Sequence, residues 1–69
     1  MRMRVDVAAD AVYLDLTKAE IDSSEEVSPG IILDYDQHGN LVGIEILDAS
    51  RKAGVGNIFE SVNLDMQAA

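Results

Sequence analysis

The chain has no cysteine and no tryptophan, a single proline, a single histidine, one phenylalanine and two tyrosines. Without thiols it has no disulfide and no thiolate metal centre with which to staple a small fold. A chain of 69 residues buries only roughly 60% of its unfolded surface. Association with another copy is therefore the expected source of added stability, and a homo-oligomer is the expected state. No apolar run approaches membrane-spanning length and no signal-peptide core is present, so a cytoplasmic protein without membrane contact is expected.

The shortage of cations is local. Residues 1–19 and 49–69 each balance their charges, whereas residues 20–48 contain eight carboxylates and no Lys or Arg. The whole net charge of −8 falls in that middle segment. Such a chain lacks the basic face that phosphate backbones require, which excludes a nucleic-acid binder. A basic protein partner fits the charge, and so does a solvated acidic surface kept for solubility.

What is present is β-patterned. Met1 to Val7 alternates apolar and polar residues, as does Ala11 to Leu16, and the two form a hairpin around Ala8-Ala9-Asp10. Thr17 to Ser28 is a loop leading into a short edge strand, where Glu25 and Glu26 discourage pairing with another chain. Pro29-Gly30 turns the chain into its organising element, a second hairpin from Ile31 to Leu47. Its loop, Gln37-His38-Gly39, calls for a type I turn with Gly39 at positive φ, and Asp36 is placed to accept loop N–H groups.

Regular pairing from that loop sets Tyr35 opposite Leu41, Asp34 opposite Val42, Leu33 opposite Gly43 and Ile32 opposite Ile44. Asp34 then shares a face with Ile32, Val42, Ile44 and Ile46, while Glu45 lies on the other. On that face Asp34 calls for a partner, among Arg2, Arg4, Arg51 and Tyr13, or for a raised pKa. Gly43, in mid-strand, marks a bend or a close approach. After Leu47 the period changes: Asp48 is the expected N-cap of a short helix, Ala49 to Ala53, ended by Gly54. Residues 58–66 fit both a helix and a strand. The alternation of Val62, Leu64 and Met66 with Asn63 and Asp65 favours a final strand.

Three blocks stand out: DVAADAVYL at Asp6–Leu14, VSPGIILDYD at Val27–Asp36 and GNLVGIEILDAS at Gly39–Ser50. Together they resemble the YuzE-like family of small prokaryotic proteins, a domain of unknown function, over roughly residues 1–52. The resemblance implies a compact, often self-associating α+β domain with a small antiparallel sheet and a helix. It implies no activity, substrate or catalytic residue. His38 departs from the acidic or amide residue common at that position.

Asp34 to Glu45 nearly fits a calcium loop, D-x-[DN]-x-[DN]-G-x5-E. Strand-like flanks, His38 as a poor ligand for a hard cation, and Asp34 and Glu45 on opposite faces all oppose that reading. A transition-metal site at His38, Asp36 and Asp34 has too few soft ligands. The same opposed faces argue against two-carboxylate hydrolysis by Asp34 and Glu45. No catalytic, metal or cofactor residue is therefore assigned.

The expected architecture is a single α+β domain over residues 1–69, a small antiparallel β-meander of about four to five strands with one short helix after the central hairpin. The expected role is a protein-interaction or regulatory module, with Glu25, Glu26, Asp34 and Asp36 as the candidate interaction surface. The alternative is a small carboxylate- or metal-dependent hydrolase or enzyme subunit.

Overall fold

A computed structural model describes residues 1–68; the last residue of the expected 1–69 domain lies outside that range. Five strands form one antiparallel sheet: β1 (Arg2–Asp6), β2 (Ala11–Asp15), β3 (Ser23–Ser28), β4 (Ile31–Tyr35) and β5 (Leu41–Ile46). The spatial order is β1-β2-β5-β4-β3. Strands β3 to β5 make a meander, and the β1–β2 hairpin docks beside β5, so β1 and β3 are the edges. One helix, α1 (Ala49–Ala53), and a 3₁₀ turn, Ile58–Glu60, follow. No helix among the described residues is long and apolar enough to cross a membrane.

Local chemistry explains the turns. In the first hairpin the Asp6 carboxylate takes the Ala9 N–H at 3.0 Å, and Asp10 adopts φ 55°, a left-handed conformation that Asp tolerates better than most residues. In the second hairpin Gly39 has φ 81° and donates its N–H to the Asp36 carbonyl at 3.1 Å. The Asp36 carboxylate accepts the N–H groups of His38 and Asn40, each at 2.9 Å. The three-residue loop is thus the one the sequence calls for.

The register beyond the loop is not. Tyr35 pairs with Leu41 as expected, but a bulge follows, and Asp34 pairs with Gly43, Leu33 with Ile44, Ile32 with Glu45 and Ile31 with Ile46. One extra residue on β5 moves every later side chain of that strand to the opposite face. One face then carries Met3 and Val5 from β1, Val12 and Leu14 from β2, Ile44 and Ile46 from β5, and Ile31, Leu33 and Tyr35 from β4. The other carries Arg2 and Arg4, Tyr13 and Asp15, Gly43 and Glu45, Ile32 and Asp34, and Ser24 and Glu26. Regular pairing predicts a hairpin largely apolar on both faces; the bulge gives the sheet one apolar face and one polar face instead.

Asp48 holds the N-cap position of α1, its carbonyl accepting the Lys52 N–H at 3.0 Å, but it has φ 52° and makes no side-chain cap bond. Asp10, from the turn of the first hairpin, supplies the side-chain cap: its carbonyl accepts the Ala49 N–H at 2.8 Å, and its carboxylate accepts the Ser50 N–H at 3.0 and 3.1 Å. Gly54 ends the helix at φ 72°, as expected. The expected final strand is absent: residues 61–68 are irregular, and Val62, Leu64 and Met66 are all exposed. The segment is not one of the sheet's five hydrogen-bonded strands, so its alternation joins no ladder.

The result is a flat molecule, 38 × 33 × 19 Å. Its radius of gyration is 13.2 Å, against about 11 Å for a compact chain of this length. Among the apolar side chains of the described residues only Ala11, Val42 and Ala49 are buried.

Candidate functional site

The polar face holds the chain's most unusual chemistry. Because Ile32 and Glu45 are partners, and Asp34 and Gly43 are the next pair on the same face, Asp34 and Glu45 are diagonal neighbours. The bulge overturns the opposed placement that regular pairing predicts. Gly43 makes room for the pair: a Cβ there would sit 3.2 Å from Asp34 Oδ2 and 3.3 Å from the Leu14 carbonyl oxygen. This is the close approach that a mid-strand glycine signals.

Asp34 is 3% exposed. No Arg or Tyr pairs with it; the Ser24 hydroxyl donates to its Oδ1 at 2.6 Å. Burial raises the Glu45 pKa above its ordinary value, and hydrogen bonding to Asp34 and the charge of Asp34 raise it further. Neighbouring carboxyls resist ionising together, so Glu45 keeps its proton to higher pH than an isolated glutamate does. Arg4, one of the four partners expected for Asp34, binds Asp15 through Nε at 2.9 Å and a second nitrogen at 3.0 Å. Its guanidinium lies 4.9 Å from the centre of the Tyr13 ring. The Arg4 hydrogen bond holds the Asp15 carboxyl below the usual carboxylate range.

This arrangement is unsuited to two-carboxylate hydrolysis. Glycosidases set two accessible carboxyls about 5–9 Å apart, with substrate or water between them, whereas Asp34 is buried and its Oδ1 accepts from Ser24. The calcium loop fails for a different reason from the one regular pairing supplies. Asp34 and Glu45 do share a face, but Asp36 is committed to loop N–H groups, which hold its carboxyl below the usual range. The flanks are strands, not helices. Among the described residues no group of three or more His, Asp or Glu side chains is placed to hold a metal ion.

The four candidate surface residues separate. Asp34 is withdrawn from the surface. Asp36 is part-exposed, with its carboxylate engaged. Glu26 is exposed, and its Oε1 accepts the Gly30 N–H at 3.1 Å. Glu25 is exposed on the edge strand β3. Glu20 and Asp22, in the linker before β3, join the exposed acids. With Asp36 and His38 they line a shallow hollow of about 350 Å³.

One polar node eluded the sequence reading. The Ser50 hydroxyl donates to Asp10 Oδ1 at 2.6 Å and accepts the Ile58 N–H at 2.9 Å. Ser50, 6% exposed, therefore ties the first hairpin, the helix and the 3₁₀ turn together. Asp10 between two alanines, at a turn position that favours φ > 0, is the signal that could have found it.

The family described as "Protein of unknown function (DUF2283)" matches residues 2–50. The match spans both hairpins and ends at Ser50, and the chain belongs to this family. No curated protein matches the chain, and no solved structure matches it.

Proposed function

We propose that this member of a family of unknown function is a cytoplasmic protein-interaction module that works as a homo-oligomer and docks a basic protein partner through its acidic edge. The VGIEILDAS block supports placing it in the YuzE-like group. The observation that carries the docking reading is the run from Glu20 to Glu26. Its four carboxylates are exposed along the β3 edge and its linker, with no cation among them. A surface of this kind steers a basic partner by long-range attraction, screened within about 8 Å at physiological salt. The geometry of Asp34 and Glu45 gives the hydrolase alternative no support.

The test is capture of partners by the full chain at low and high salt, followed by association kinetics with any basic protein recovered. Reversing Glu25 and Glu26 to Lys should slow association several-fold, and raised salt should do the same. The Glu60→Lys/Asp65→Lys pair, in the charge-balanced tail, should change it less. A partner whose binding ignores both salt and the Glu25/Glu26 reversal would leave the acidic edge without a docking role.

A further inference from the structure

We infer that a second copy of this chain covers the apolar face of the sheet, the two sheets stacking face to face as a β-sandwich. This rests on the self-association in the reading above and names its surface and occupant. The accessible surface of the chain is 5396 Å². A compact monomer of 7.5 kDa exposes about 4,200 Å². The excess, about 1,200 Å², is larger than the roughly 800 Å² that each partner gives to a stable interface.

Part of that excess belongs to the tail, where Val62, Leu64 and Met66 are exposed, and part to the apolar face. Met3 is 55% and Val5 47% exposed, and Leu14, Leu33, Ile44 and Ile46 are each only part-buried. Nothing else in the described chain is large enough to cover them. Helix α1 buries only Ala49 and Ser50, and the 3₁₀ turn buries no residue fully. The tail offers Val62, Leu64 and Met66, one strand's worth of apolar side chains for a face five strands wide.

A second copy fits on charge as well. On the apolar face β1, β2, β4 and β5 present no charged side chain; Glu25, on the outermost strand, is the exception. Two copies can meet there without setting their acids against each other, because the charged ladder of each lies on its outer face. Two-fold stacking is self-complementary and closes on itself, which ends growth at the dimer. Sheets packed in this way lie about 10 Å apart, so each copy supplies the layer that the other lacks.

The test uses the full-length chain. Sedimentation equilibrium at roughly 0.1–1 mM, where mass action favours association, should give twice the monomer mass. A 1:1 mixture of ¹³C-labelled and unlabelled chains should show intermolecular NOEs at the methyls of Leu14, Leu33 and Ile44 and none at Ile32 on the polar face. Ile44→Lys should return the protein to monomer; if that variant unfolds, the NOE pattern of the natural sequence still decides. Intermolecular NOEs confined to the Val62–Met66 tail and the β1 edge would overturn the face-to-face stack while leaving self-association standing. A monomer throughout the range, or one whose own tail shows NOEs to Leu14 and Ile44, would overturn both.

Discussion

The polar face of the sheet satisfies itself within a single layer. Arg4 binds Asp15 and lies over Tyr13, Ser24 bonds Asp34, and burial beside Asp34 raises the Glu45 pKa. The apolar face is built on the same five strands, and it leaves Met3 and Val5 about half exposed. Polar groups exposed to water can complete their bonding with neighbours or solvent, so one layer is enough for them. Apolar groups gain only by leaving water, at about 25 cal/mol per Å², and that needs a second layer. A single bulge in β5 creates the contrast, because it moves Ile44 and Ile46 to one side and Glu45 to the other.

The comparison breaks most readily at the centre of the apolar face. Ile44→Ala should cost about 2–5 kcal/mol if the face is covered, and urea midpoints should then rise with protein concentration in the natural chain. A cost below about 1 kcal/mol would mean that Ile44 stays at a water-facing surface. The register that sorts the faces begins at the hairpin loop. There Gly39→Val should cost about 1–3 kcal/mol from backbone strain alone, since no atom lies within 4 Å of the added Cβ. His38→Ala should change stability by less than about 0.5 kcal/mol. Equal urea midpoints for the two variants would refute the loop geometry.

On the polar face, Ser24→Ala should cost about 1–2 kcal/mol, because Asp34 stays buried and loses its hydroxyl donor. An unchanged midpoint would mean that water or another group replaces Ser24 at no cost. The smallest effect expected is on the pH profile. The folded state holds the Glu45 proton more tightly than the unfolded chain does, with its ordinary value of 4.5. This contribution to stability is complete below 4.5 and is lost as pH rises through the folded value. Asp15 and Asp36 work the other way. Their stabilisation is present above 3.8 and is lost as pH falls through their lowered values. Stability should therefore rise from neutral into mildly acidic pH and fall again in strong acid. Glu45→Gln should reduce that rise, whereas Glu20→Gln, in the exposed linker, should change it less. Equal profiles for the two variants would remove the raised Glu45 pKa from the account.

The turns were legible because their chemistry is local. Asp36 and Gly39 announce the hairpin loop within a few residues, and Gly54 announces the end of the helix. The bulge was legible only as a hint: Gly43 marked a bend or a close approach, but the extra residue, Val42, reads as one more member of an alternating strand. Regular pairing did leave a clue: it put Asp34 among isoleucines and Glu45 among leucines, a conflict that one extra residue resolves. The Asp10–Ser50 clamp joins residues 40 positions apart, beyond the reach of any local pattern, and Asp48 offered a plausible cap closer at hand. In the tail, alternation alone suggested a strand, but a strand also needs an edge to pair with.

The most direct test of the bulge, and of the two faces it creates, is a carboxyl ¹³C NMR titration of Glu45 in the natural chain and in Asp34→Asn. The account predicts a Glu45 pKa above the ordinary 4.5, falling back toward it when the Asp34 charge is removed. A Glu45 that titrates at its ordinary value in both proteins would place the two carboxyls on opposite faces, and the register described here would be wrong.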